Sequence, residues 1–156
     1  TYEGYGPGGV AILVETLTDN RNRTATNVRV AFNKNGGSLG ETGSVNYLFD
    51  RKGYIAIERA HSSLTEEELF EKVLDLGAED FVASEEGFEI YSAPEHFVAL
   101  RDALEQEMIL ARAELAMIPQ TTIALSDDQQ QQLDQLIEKL EDDDDVTEVY
   151  TSVEVS

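Results

Sequence analysis

Three arginines, Arg21, Arg23 and Arg29, crowd the run TLTDNRNRTATNVRVAF, and Lys34 follows two residues beyond it. Guanidinium and ammonium groups gathered this way offer contact with nucleic-acid phosphate. The rest of the chain makes the cluster conspicuous. There are 11 Lys+Arg against 32 Asp+Glu, a formal net charge of −21. Residues 1–50 carry 4 basic and 5 acidic residues, residues 51–118 carry 6 and 16, and residues 119–156 carry 1 and 11. The cations therefore sit in the one nearly neutral third. With a pI near 4.1, most of the surface repels phosphate, which excludes whole-surface binding to nucleic acid. Positive charge at a helix start also opposes the macrodipole, by about 0.3–1 kcal/mol per charge. Two readings stay open: phosphate contact, or pairing of the arginines with Asp19, Glu15 or acidic neighbours in another domain.

The other candidate chemistries are weaker. GYGPGG, Gly4 to Gly9, superficially matches G-x-G-x-x-G, but a dinucleotide loop follows a strand and opens a helix, whereas here the glycines precede the strand. The run is read as a turn needing positive φ and close backbone passage. Alternatively, Tyr5 and the exposed amides touch a partner, since aromatic rings stack on unpaired bases. Asp142 to Asp145 lacks the alternating ligands, glycine and distal glutamate of a calcium loop and reads as a solvated turn. His61 and His96 stand alone, with no paired-ligand spacing. There is no cysteine, so disulfides, thiolate metal sites and a cysteine nucleophile are excluded. No serine lies in a G-x-S-x-G elbow, and nothing singles out a catalytic carboxylate pair. A non-enzymatic protein without cofactor, metal or evident small-molecule substrate is expected.

The elements that must position these residues follow from periodicity. Residues 1–9 read as a loop. VAILVETL, Val10 to Leu17, is apolar and β-branched, as a buried strand is. Asp19 or Asn20 then caps a helix with Ala25, Val28 and Phe32 on one face. Arg23, Asn27, Val30 and Lys34 fall on the opposite side, and Asn35-Gly36-Gly37 ends the helix. VNYLF, Val45 to Phe49, reads as a strand. GYIAIE, Gly53 to Glu58, is the next strand. Thr65 and Glu68 form a capping box before the stripe Leu69, Phe70, Val73 and Leu74. Strands near 80–84 and 88–91 flank a turn at Glu85-Glu86-Gly87. Pro94 opens a helix bearing Phe97, Leu100 and Leu104. Ala113, Leu115 and Met117 alternate along a strand ending at Pro119. TTIAL, Thr121 to Leu125, reads as a strand. Ser126 caps a helix with Leu133, Leu136, Ile137 and Leu140, and Val146 to Val153 is the last strand.

The middle is thus β-α-β-β-α-β, the ferredoxin-like pattern, flanked by two β-α-β pieces. A lone β-α-β leaves apolar sheet uncovered, so the outer pieces need each other. The expected fold is α+β: a discontinuous βαβ…βαβ domain, residues 1–50 plus 119–156, with a ferredoxin-like domain, 51–118, inserted in it. Three units in series is the rival arrangement. No apolar run approaches the roughly 20 residues of a membrane span, and no signal peptide is visible, so a cytoplasmic protein is expected. A start at Thr1 rather than Met suggests a fragment.

Several motifs together resemble the YebC family: YEGYGPGG (Tyr2 to Gly9), TDNRNRT (Thr18 to Thr24), NGGSLGETGSVNYLF (Asn35 to Phe49), LGAEDF (Leu76 to Phe81), ELAMIP (Glu114 to Pro119) and LEDDDDVTEVYTS (Leu140 to Ser152). The resemblance spans the chain. It implies the second and third domains of a three-domain protein, the third inserted in the second, without the family's basic N-terminal helical domain. It also implies a non-enzymatic regulator of gene expression. One form is a translation factor contacting ribosome or RNA; the alternative is a DNA-binding transcriptional regulator whose acidic domains mediate assembly. In either form the main nucleic-acid contact would come through the basic domain, and no membrane is involved. On this chain the contact residues would be Tyr5, Arg21, Asn22, Arg23, Asn27 and Lys34.

Overall fold

The structure, a computed structural model, describes residues 1–154. The chain forms two compact units, Thr1–Asp50 with Ile118–Ser156, and Arg51–Met117. It is an α+β protein, with two four-stranded sheets and four α-helices among the described residues.

The first unit holds β1 (Tyr2–Tyr5), β2 (Ala11–Thr16), α1 (Arg21–Lys34), β3 (Ser38–Leu39), α4 (Asp127–Glu141) and β8 (Val146–Thr151). Its sheet has the order β3-β1-β2-β8, and β2 pairs antiparallel with both β1 and β8. Because β2 is central, every residue from Ala11 to Val14 is buried, which explains an apolar run without alternation. Val28 and Phe32 of α1 and Leu133, Leu136 and Leu140 of α4 pack on Val10, Ile12 and Val14 in one core. Asn20 caps α1 by accepting from the Arg23 amide at 3.1 Å. Ser126 and Gln129 form a reciprocal capping box on α4. The buried stripe of α1 is Thr24, Val28 and Phe32, so a threonine takes the place expected for Ala25.

Three expected elements differ. Residues 1–9 are not all loop, because Tyr2–Tyr5 is a strand between β2 and β3. Ladder pairing on both sides overrides the low strand preference of glycine. Gly4 is needed there, because a Cβ would meet Phe32 Cε2 and the Ser38 carbonyl oxygen, each at 2.6 Å. The later glycines of the run do form a turn, with Gly8 and Gly9 at φ +70° and +83°. Second, the strand expected at Val45–Phe49 is formed only at Phe49, where the next strand begins: Asn46–Leu48 is a 3₁₀ turn. The Val45 and Asn46 amides, which a ladder would use, are taken by the Glu3 carboxylate. Third, Thr121–Leu125 contributes only one parallel bridge, Ile123 to Val153. The bridge falls at Val153, past the end of β8 at Thr151, so no ladder extends from it among the described residues.

The second unit is built from β4 (Phe49–Glu58), α2 (Glu66–Asp75), β5 (Ala78–Ala83), β6 (Gly87–Ser92), α3 (Phe97–Glu105) and β7 (Arg112–Pro119). The β-α-β-β-α-β order with sheet order β5-β6-β4-β7 is the ferredoxin-like topology. Leu69 and Val73 of α2 and Leu100 and Leu104 of α3 cover Ile55, Ile57, Phe88 and Ile90. Thr65 and Glu68 form the expected capping box. Pro94 opens a 3₁₀ turn that leads into α3. On β7 the buried residue is Ala116, and Leu115 is exposed, so the alternation read at Ala113, Leu115 and Met117 does not mark one buried face.

Candidate functional site

The basic cluster lies on α1, which β2 delivers through the turn at Leu17–Asn20. In the first turn of the helix, Arg23 does not face solvent alone. Its Nη2 lies 3.0 Å from Asp145 Oδ2 and 3.1 Å from Asp19 Oδ1, and its Nε donates to Asp145 Oδ2 at 3.2 Å. Buried Thr24 joins the same carboxylate, its hydroxyl 2.8 Å from Asp145 Oδ2 and 2.7 Å from Thr18 Oγ1. A hydroxyl has a single proton. The charged acceptor takes that of Thr24, and Thr18 Oγ1, which accepts from the Asn20 amide at 3.0 Å, lies against the same group. The Thr24 hydroxyl and the Arg23 guanidinium hold the Asp145 carboxyl below the usual carboxylate range, against the desolvation that would raise it. The hydrogen bond to Asp145 raises Arg23 in turn.

Asp145 is thus buried and paired, a correction to the reading of all four aspartates as a solvated turn. Its amide donates to Asp143 Oδ1 at 2.9 Å, and its carbonyl accepts from Leu17 at 2.9 Å. The turn before β8 is therefore fastened to the entry of α1. Beside the ion pair lies an open cleft of about 580 Å³ lined by Arg23, Asn27, Lys139 and Asp142–Asp145 among others. Four carboxylates against two cations make it a poor seat for phosphate.

The remaining cations divide. Arg21, Asn22, Asn27 and Lys34 are all exposed. At 3.6 residues per turn, Arg21 and Arg29 each stand roughly 140° round the helix from the arc of Arg23, Asn27 and Lys34. The three arginines are therefore neighbours in sequence but not one patch. Among the described residues, Arg21, Arg29 and Lys34 have no ion-pair partner, in contrast to Arg23. Tyr5 is 39% exposed, and its hydroxyl lies 3.4 Å from the Ser44 carbonyl oxygen, which accepts from it.

A second buried group, missed in the sequence, organises the loop that meets Tyr5. Glu3 is 3% exposed. Its carboxylate accepts from the amides of Gly43 (2.7 Å), Val45 (3.0 Å) and Asn46 (2.7 Å). Burial raises its pKa, but the three amides outweigh that and leave it below its ordinary value. No sequence signal marks it, because its partners lie about 40 residues away along the chain. Among the described residues no group of three or more His, Cys, Asp or Glu is placed to hold a metal ion. No helix among them is long and apolar enough to cross a membrane.

Fold and site define a two-unit α+β protein whose basic helix is partly neutralised by its own carboxylates. The chain belongs to the TACO1/YebC family, whose model for the second and third domain matches residues 1–153. A probable transcriptional regulatory protein of Enterococcus faecalis is 66% identical over 155 residues, covering 99% of this chain and 64% of that protein. One of the same description from Ligilactobacillus salivarius is 58% identical over 154 residues, covering 99% and 64%. The crystal structure of a conserved hypothetical protein from Aquifex aeolicus superposes with a TM-score of 0.87 at 41% identity, covering 99% of this chain and 64% of that one. The chain thus spans 64% of the length of these relatives.

Proposed function

We propose that the protein is a non-enzymatic regulator of gene expression that acts in translation by contacting the ribosome or its RNA. The two units act as separate domains, the second inserted in the first. The observation that carries this reading is the exposure, without acidic partners among the described residues, of Arg21 at the start of α1 and Lys34 at its end. They lie in the one third of the chain that is nearly neutral, where phosphate meets least repulsion. Arg21, Asn22 and Lys34 make the contacts, with Asn27 and Tyr5 at the margins, while Arg23 fixes the helix start. A second reading, a DNA-binding transcriptional regulator, is favoured by the description shared by the relatives. Against it, no helix here presents a base-reading pattern suited to the major groove.

The test is cosedimentation of the full-length gene product with ribosomes, for the native protein and for Arg21→Glu/Lys34→Glu. Binding that is salt-sensitive and weakened by the double reversal supports the proposal. Absence of ribosome binding together with tight, sequence-selective duplex DNA binding sinks it and favours the second reading. Arg23→Glu is a poor probe, because it would set a carboxylate beside Asp145 and unfasten the helix start.

A further inference from the structure

In the second unit, α2 and α3 cover one face of the sheet. Ile55, Ile57, Phe88 and Ile90 face α2 and α3, and the twofold alternation of strands sends Tyr54, Ala56, Glu58, Glu89 and Tyr91 to the other side. There Tyr54 and Tyr91 are direct cross-strand partners on the two central strands, with ring centroids 5.3 Å apart. Both hydroxyls donate to Glu89 Oε2, at 2.9 and 3.2 Å. Burial and Glu89 push the Tyr54 phenol up to about 12 and raise Tyr91 as well, so both remain neutral donors at physiological pH. Next to the pair is a cavity of about 190 Å³ whose walls include Tyr54, Ala56 and Ala111 and whose acidic members are Glu58, Glu86 and Glu89.

We propose that this face is a docking surface for a basic, arginine-containing segment of a partner protein. The lining combines buried Ile57 and Phe88 with exposed Glu58 and Glu86, the complement of a long side chain with an aliphatic stem and a cationic head. The ring surface already serves a guanidinium in this way: Arg112 Cζ lies 5.8 Å from the Tyr54 ring centroid, with Glu114 paired to the same arginine. Planar guanidinium stacks on aromatic faces better than ammonium does. The charge of the unit points the same way, with 6 Lys+Arg against 16 Asp+Glu over residues 51–118. Paired aromatics on central strands also suit unpaired bases, but the phosphates of such a strand would pass Glu58, Glu86 and Glu89. That repulsion decides between the two occupants.

The experiment titrates the full chain, by fluorescence anisotropy at near-physiological salt, with three labelled probes. These are a short arginine-rich peptide, a lysine-rich peptide of equal charge and a single-stranded RNA oligonucleotide. The arginine peptide is expected to bind most tightly. Glu86→Gln/Glu89→Gln should weaken it by about tenfold or more, since close charge-assisted contacts are lost. Ala56→Leu, which fills the cavity without changing charge, should weaken it too. Glu67→Gln/Glu71→Gln, removing equal charge from α2 on the opposite face of the same sheet, should change it less than about twofold, as screening at this salt requires. Circular dichroism verifies that each variant is folded. The proposal is overturned if no peptide binds, if both glutamate pairs weaken binding equally, if Ala56→Leu has no effect, or if the oligonucleotide binds at least as tightly as the peptide.

Discussion

Arg23 Nη2 stands 3.0 Å from Asp145 Oδ2, joining the first turn of α1 to the turn before β8 across 122 residues of sequence. One arginine of the basic cluster is thereby an internal fastening. Arg23→Gln and Asp145→Asn should each lower the urea midpoint, and the double variant should lose less than the sum of the two. Additive losses in that double-mutant cycle would show that the pair is not coupled.

Thr24 feeds the same carboxylate from within the core. Thr24→Val keeps the shape but removes the hydroxyl bond to Asp145, and should cost roughly 1–2 kcal/mol. Chemical denaturation at neutral pH measures it, and a neutral result would mean that Asp145 is satisfied by Arg23 alone.

Glu3 and Asp145 both have folded pKa values below their ordinary values of 4.5 and 3.8. A depressed carboxylate binds protons more weakly in the folded state, so its contribution is complete above the ordinary value and disappears as pH falls through the folded one. Stability should therefore drop below about pH 4, and the drop should be smaller in Asp145→Asn. Urea midpoints at pH 7, 4 and 3 would reveal this; identical pH profiles for the two proteins would contradict it.

Glu3→Gln should destabilise the first unit by roughly 1–3 kcal/mol, because an amide supplies one acceptor oxygen where the carboxylate supplies two, and its NH₂ group would face backbone donors. Hydrogen exchange at Gly43, Val45 and Asn46 should accelerate well beyond exchange in β2. Unchanged protection of those three amides would place the loop's stability elsewhere.

Gly4 in β1 should not tolerate a side chain. Gly4→Ala drives a methyl group into Phe32 and the Ser38 carbonyl, an overpacking worth roughly 1–3 kcal/mol. A thermal midpoint equal to the native one would mean that β1 and β3 separate without cost.

The amino-acid sequence alone determined the four helices, the caps of three of them and most of the strands. Thr65 with Glu68, Ser126 as a cap, and the stripes Leu133-Leu136-Leu140 and Phe97-Leu100-Leu104 are local patterns, set by residues within a few turns of one another. The run AILV showed a strand buried on both faces for the same reason. Only the tertiary structure decided which groups meet across long stretches of chain. Tyr2–Tyr5 became a strand because β2 and β3 pair with it, and Asn46–Leu48 became a turn because Glu3 captures the amides of Val45 and Asn46. Arg23 pairs with Asp145, whereas Arg21 and Lys34, equally basic and exposed, have no ion-pair partner among the described residues. Charge and periodicity rank cations by position on a helix, but a carboxylate contributed from the far end of the chain decides which of them remains available to a partner.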